Sequence, residues 1–396
     1  MLYSYDYYRQ VFEGVIMPYA FIDLDLLNEN IKEILRRSGS KFIRIASKSI
    51  RCVYLLKKIL GTNPKFRGVM SYNPLEALFL IQKGLDDMLI GYPSCHPSDI
   101  GAICKEIASG KHIIFMVDCE EHIHRLNKFG QKYNINIPVC LDVDMSYDFF
   151  GLHFGVWRSS IFNKKQAMQV GKRILGLPFI YLEGFMGYEA QIAGVADNAK
   201  RQFLKNSIIR FLKSRSVKHV AQKRTGIIQS LFQQGHEFKF INAGGTGSLE
   251  STIKEDCVSE VTVGSGFYAP ALFDEYKNFR HRPAAVFALQ IVRHPKKNIY
   301  TCHGGGYIAS GAPSIDKLPK PYLPYGLKLL AFEGAGEVQT PLYYKGKEGL
   351  SLADPIFFRH AKAGELMERF NKLYLVSNGK IINEVPTYRG EGVCFL

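Results

Sequence analysis

No run in this chain is apolar for long enough to cross a bilayer as a helix. Its first residues, MLYSYDYYRQVFEGVIMP, lack a basic start followed by an apolar stretch, so no secretory leader is expected. The 8 cysteines form no CxxC pair and no metal-ligand spacing. Free thiols in a reducing cytoplasm are therefore expected, and not a disulfide framework. Acid is in short supply: 36 Asp and Glu stand against 51 Lys and Arg, a formal net charge of +15. Such a balance suits nucleic acid, an anionic membrane or acidic small molecules. The basic residues are scattered, however, as at Lys57-Lys58, Lys164-Lys165, Lys200-Arg201 and Lys296-Lys297, and no nucleic-acid motif accompanies them. The expectation is a generic basic surface, with neither nucleic acid nor membrane as partner. Internal repeats, low-complexity tracts and the phosphate-loop pattern GxxxxGK[ST] are also missing.

What is present is a globular chain of 396 residues, 46% hydrophobic and 22% charged. That length suggests one large domain and a smaller one. Short apolar runs at 42–47, 68–72, 87–93, 112–118, 138–145, 181–189, 238–243 and 260–264 read as strands. Most show little strict alternation, as strands buried on both faces of a parallel sheet do. Amphipathic segments at 51–60, 74–83, 97–108, 119–130, 164–175 and 198–233 separate them, with Pro74 suited to a first helical turn. Eight strands alternating with helices predict a (β/α)8 barrel over residues 18–279. An open doubly wound sheet would fit seven of these units nearly as well. From about 280 the runs shorten and are broken by Gly, Pro and the hairpin signal Asn378-Gly379. Residues 280–396 thus predict a β-rich second domain, with residues 1–17 attached to it.

In such a barrel the chemistry lies at the C-terminal ends of the strands. Strand one ends at Lys48, with Arg51 beyond. Strand five ends near Asp142 and Asp144, followed by His153 and Arg158. Strand six ends in GYEAQIAG, giving Tyr188, Glu189 and Gln191. Strand seven ends in NAGGTGSLE and strand eight in GSGFYAP. The glycines 244, 245 and 247 let backbone amides approach an anion closely, and Thr246 and Ser248 add hydroxyls. A dinucleotide fingerprint is the rival, but Glu250 stands where its third glycine belongs. Lys48 alone suits a salt bridge as well as catalysis. Beside a phosphate cradle it suggests a Schiff base with pyridoxal 5′-phosphate (PLP) or with a phosphorylated sugar. Arg44 or Arg51, with partial desolvation, would favour its neutral, nucleophilic form.

These segments, MPYAFIDLDLLNENI, ASKSIRC, GYEAQIAGVAD, NAGGTGS and GSGFYAP, resemble the alanine racemase-type (fold-type III) PLP enzymes. The closest branch is that of D-threonine aldolase and D-serine dehydratase, including the amino acid deaminase/aldolases. The resemblance implies that Lys48 holds the cofactor as an aldimine and acts as a base. It implies that Gly245, Thr246, Gly247, Ser265 and Gly266 hold the phosphate. Arg158 would lie near the phenolate oxygen, and Tyr188 and Gln191 against the ring. The activity implied is cleavage or dehydration of a D-configured β-hydroxy amino acid. Racemization is the alternative, with Tyr388 or another tail tyrosine, given by a partner subunit, as second base on the opposite cofactor face, and a PLP carrier without turnover is another. That branch also places a histidine and, two residues later, a cysteine or aspartate on a divalent metal. Here the pair is His360 and Lys362, so a metal is doubtful and both become candidates for the second acid or base. Asp354 and Glu365 lie near in sequence at other spacings, and His303 is a further polar candidate. A homodimer is implied as well.

Overall fold

The computed structural model describes residues 3–149, 151–362 and 364–396. A first short helix, α1 (Tyr5–Val11), leads to β1 (Tyr19–Asp23) and α2 (Leu24–Arg37). Then follow β2 (Phe42–Ala46), β3 (Phe66–Ser71), β4 (Met88–Ile90), β5 (Ile113–Val117) and β6 (Ile137–Asp142). A hairpin of β7 (Tyr147–Phe149) and β8 (Leu152–Phe154) interrupts the series before β9 (Ile180–Gly187), β10 (Phe240–Ala243) and β11 (Glu260–Val263). The strands close as β2-β3-β4-β5-β6-β9-β10-β11, every pairing parallel and β11 hydrogen-bonded back to β2. Closure decides for the barrel over the open sheet. The runs β4, β5 and most of β6 are buried throughout, as both faces of a parallel strand in a barrel require.

The helices between strands start where local chemistry allows. Pro74 occupies the first turn of α4 (Pro74–Gln82), where its missing N–H is not needed, and the Asn73 side chain caps that helix by accepting from the Glu76 amide. Asn163 and Gln166 form a reciprocal capping box at the start of α7 (Lys164–Leu175). Between these, α3 (Val53–Leu60), α5 (Pro97–Ala108) and α6 (Glu120–Tyr133) complete the first outer ring. A single turn, α8 (Ala190–Ala193), then the 31-residue α9 (Phe203–Gln233) and another turn, α10 (Leu249–Thr252), follow.

Beyond the barrel lies a mostly antiparallel sheet. It is formed by β12 (Ala285–Lys296), β13 (Ile299–His303), β14 (Lys320–Leu323), β15 (Lys328–Leu329), β16 (Gln339–Tyr343), β17 (Pro355–Arg359), β18 (Lys372–Ser377) and β19 (Lys380–Pro386). Asn378 and Gly379 both carry positive φ at the β18–β19 turn, as that hairpin type demands. One strand was not foreseen. Tyr19–Asp23, inside the stretch expected to be barrel, pairs antiparallel with β12 and parallel with β18. All five of its residues are buried, so no alternation marked it as a sheet edge or face. The α1 helix packs on the same sheet, through Tyr5 and Tyr8 against Phe357 and the Tyr8 hydroxyl on Asp23.

The base of the barrel is tied by charge. Arg44 reaches Glu260 at 2.8 Å and Asp87 at 3.0 Å, and His112 sits between Glu183 at 2.6 Å and Asp87 at 3.3 Å. Hydrogen bonds to Asp87 and Glu183 push the His112 pKa up to about 9. The folded chain thus holds a proton that the unfolded chain releases above about 6.5. His112 stabilises fully below that pH, and its contribution is lost as pH rises through about 9. The melting temperature of the wild type should exceed that of His112→Asn near pH 6, and the two should converge above pH 9. A gap that persisted at high pH would contradict the assignment.

Candidate active site

A cavity of about 640 Å³ opens at the C-terminal ends of the barrel strands. Its wall includes Lys48, Arg158, Tyr188, Gln191, Gly245, Thr246, Ser265 and Lys362. Lys48 stands in a single 3-10 turn that continues β2, and its Nζ donates to the Tyr92 hydroxyl at 3.2 Å. Neither nearby arginine is a free cation. Arg44 is held at the barrel base, and Arg51 binds Glu368 at 2.9 Å while donating to the Lys48 carbonyl at 3.0 Å.

The turn after β10 is built for close approach. Gly244 has φ +75°, in the region glycine favours. A Cβ on Gly247 would lie 2.1 Å from the Ala193 carbonyl oxygen, and one on Gly264 would lie 2.6 Å from the Ser49 hydroxyl. Among the described residues, the Thr246 and Gly247 amides have no protein acceptor. Ser49 and Ser265 place their hydroxyls 3.2 Å apart on the same wall. Unpaired amides and convergent hydroxyls are the chemistry of an anion site.

Buried charge holds this turn from behind. The Glu189 carboxylate accepts from the Gly244 amide at 3.2 Å and the Ser248 hydroxyl at 2.8 Å, and also from Thr252. Arg224, fully buried, meets Glu189 at 2.7 Å, donates to the Gly187 carbonyl at 2.7 Å and also binds Glu255. From α2, Arg37 donates to the Thr246 carbonyl at 2.7 Å and pairs with Glu250 at 2.6 Å. Glu189 is thus a support of the glycine turn and does not line the cavity.

The cavity wall also carries titratable groups. Burial works to raise the Tyr92 pKa, but the positive charges of Lys48 and Arg158 outweigh it and leave it lowered. Asp142 is pushed up to about 7 by burial and by Asp118, against the pull of Arg158. Burial raises Tyr188 to about 12 despite Arg158, whose guanidinium lies 5.4 Å from the Tyr188 ring centre. Gln191 is fixed by donating to the Met145 carbonyl at 2.5 Å and the Ser216 hydroxyl at 2.9 Å.

Other expected residues are placed elsewhere. Gly247 and Gly266 lie in the turns that support the wall without lining the cavity, and the Gly266 amide donates to the Thr246 hydroxyl at 3.1 Å. His360 is 3% exposed, off the cavity wall, and neither ring nitrogen has a partner. Burial, then Arg359, lowers its pKa to about 3, so the ring is neutral at pH 7 and unsuited to donate a proton as a charged acid. Tyr388 is fully buried and donates to Glu76 at 2.9 Å, which removes it as a base for this cavity. His303 lies in β13, outside the cavity, while Asp354 caps Ser351 and Glu365 accepts from the Ser310 amide. Reading strand ends one and five to eight left out Tyr92 after β4 and Asp118 after β5. The same end-of-strand rule, applied to every strand, finds both.

The residues fit PLP: an amine, an anion turn with unpaired amides and an arginine share one cavity. They do not fit a metal at His360 and Lys362, because an ammonium has no lone pair to offer and His360 does not reach the wall. The metal-like group among the described residues, Asp118, Cys119 and His122, lies on another strand end, where Asp118 already bonds His122 and the Ser160 amide.

The fold is a closed (β/α)8 barrel followed by a second, mostly antiparallel sheet, with the cavity at the C-terminal ends of the barrel strands. The family model for the alanine racemase N-terminal domain matches residues 22–269, and the chain belongs to that family. Solved structures share the whole architecture. D-threonine aldolase from Filomicrobium marinum superposes with a TM-score of 0.79 at 16% identity, over 95% of this chain and 96% of that one. D-threo-3-hydroxyaspartate dehydratase from Delftia sp. HT23 gives 0.75 at 15%, over 94% and 98%. The alanine racemase of Clostridium difficile 630, in complex with cycloserine, gives 0.65 at 14%, over 94% and 99%. No curated protein sequence matches the chain.

Proposed function

We propose that this chain is a PLP-dependent lyase that cleaves or dehydrates a D-configured β-hydroxy amino acid. The observation that carries the reading is the convergence of Lys48 and the unpaired amides of the glycine turn on one cavity. PLP, once bound, supplies an electron sink for bonds at the substrate α-carbon. The remaining work falls to the chain. The turn at 245–247 with Ser49 and Ser265 would hold the phosphate. Arg158 would face the ring oxygen, and Tyr188 and Gln191 the ring. Lys48, hydrogen-bonded to Tyr92, would move a proton at the α-carbon, with Tyr92 as its relay partner.

In cleavage the β-hydroxyl loses its proton, the Cα–Cβ bond breaks to release an aldehyde, and the α-carbon takes up a proton to leave glycine. In dehydration the Cα–H and Cβ–O bonds break, water leaves, and hydrolysis of the remaining enamine gives a keto acid and ammonia. Lys362, on the cavity wall, carries the charge that would steady the departing or deprotonated oxygen. Two other readings separate cleanly. A racemase would interconvert enantiomers without releasing aldehyde or keto acid. A carrier would release nothing and change no optical rotation.

The test is to supply single enantiomers of β-hydroxy amino acids and follow optical rotation together with aldehyde and keto acid release. Release from the D-enantiomer supports the proposal; rotation lost without release would overturn it. Because Lys362 replaces a ligand, turnover should also survive dialysis against EDTA, within about twofold on the scale where removing a metal's charge stabilisation costs several kcal/mol. Loss of activity that manganese or zinc restored would refute the metal-free site. We propose a homodimer in which the second sheet of one copy closes the other's cavity, checked by light scattering.

A further inference from the structure

Between Asp197 and Glu237 the chain has no acidic residue, yet it has Lys200, Arg201, Lys205, Arg210, Lys213, Arg215, Lys218, Lys223 and Arg224. The stretch is mostly one element, α9. Its inward face is committed, through Lys213 to Asp197 and Arg224 to Glu189 and Glu255. Its outward face is unusual. Phe203 is 81% exposed, Leu204 84%, Ile208 61% and Phe211 47%. Leu204, Ile208, Phe211, Arg215 and Lys218 follow at helical spacings of four, three, four and three, so they form one stripe, apolar at its start and cationic at its end.

The β7–β8 hairpin leans on this helix, with Phe149 against Phe211 and Tyr147 against His219. The hairpin region itself exposes Leu152 and Trp157. The exposed acid beside it, Asp148, is bonded to His153. Large exposed side chains in such a group mark a contact surface. A helix face with Phe and Leu set among lysines and arginines has the composition of one that lies in a lipid headgroup layer.

We infer that the outer face of α9 docks on an anionic lipid surface. Self-pairing of this face is the poorer arrangement, since it would oppose like charges; a second copy whose sheet covers the face instead is told apart by the oligomeric mass of the Leu204/Ile208 variant below. Nucleic acid would use the cations but leaves four bulky apolar side chains without a role. The proposal departs from the sequence expectation of no membrane partner, for surface contact only.

The test is sedimentation of the full-length protein with phosphatidylcholine vesicles containing about one third phosphatidylserine, against phosphatidylcholine alone. Binding is expected only to the mixed vesicles, and should fall as salt shortens the Debye length. Arg215→Gln with Lys218→Gln should weaken it on the order of thirtyfold. Leu204→Ser with Ile208→Ser should weaken it comparably, and both variants should keep the wild-type melting curve and oligomeric mass. No binding to mixed vesicles overturns the proposal, as does equal binding to neutral ones. It also fails if the Leu204/Ile208 variant changes the oligomer, or if an RNA oligonucleotide competes away the vesicles and is bound by that variant as by wild type.

Discussion

Lys48→Ala is expected to give a folded, colourless protein. The wild type, reconstituted with PLP, should show the visible absorbance of the cofactor linked to an amine, and the variant should show only free cofactor that dialysis removes. Turnover should fall at least about 10³-fold, within the range for loss of a positioned base and a covalent anchor together. The substitution is mild for the fold, because among the described residues the Lys48 side chain bonds only the Tyr92 hydroxyl, and the cation–ring contact with Tyr92 is 5.8 Å. Tyr92→Phe is the companion. It should keep the colour, because the amine remains, but lower turnover and shift its pH profile, since the hydroxyl beside Lys48 has a lowered pKa. Colour retained in Lys48→Ala would place the linkage elsewhere and remove the basis of the proposed function.

The second large effect concerns a residue that touches no substrate. Arg224→Met should lower unfolding free energy by about 3–5 kcal/mol, because it strands two buried carboxylates, Glu189 and Glu255, without their cation. Denaturant titration measures this directly. A consequence at a distance is expected. Glu189 orders Gly244, Ser248 and Thr252, so its loss loosens the turn that would hold the phosphate. Glu189→Gln, the milder change, should weaken retention of PLP more than that of pyridoxal, which has no phosphate. Equal weakening of both would reduce Glu189 to a general stabiliser. A stability change under about 1 kcal/mol for Arg224→Met would show that the buried cluster is not the anchor described.

Much of this was legible in the residues. The eight barrel strands were readable because each is a short apolar run bounded by small or polar residues. That Lys48, Arg158, Tyr188, Gln191 and the 245–246 turn share one cavity wall was readable because end-of-strand position is a local property. The failures share a cause of another kind. Tyr19–Asp23 reads like any buried strand; which sheet it joins depends on partners hundreds of residues away. Glu189 is two residues from Gln191 in the same motif, yet Gln191 lines the cavity and Glu189 lies behind it, set by how α8 turns. His360 looked like a ligand only by its match to the family's histidine, and packing encloses its ring. Tyr92 was missed through uneven use of a rule that applied to it.

The place of Tyr19–Asp23 has a consequence for how the molecule is made. This strand leaves the ribosome long before its hydrogen-bonding neighbours, which are near residues 285 and 373. The barrel, complete by residue 263, can close while the sheet still waits for its last pieces. An apolar strand is therefore carried unpaired while the barrel between it and β12 is made. Truncation before β18 should leave its second edge open and the product prone to aggregate, whereas a chain that includes β18 covers that edge.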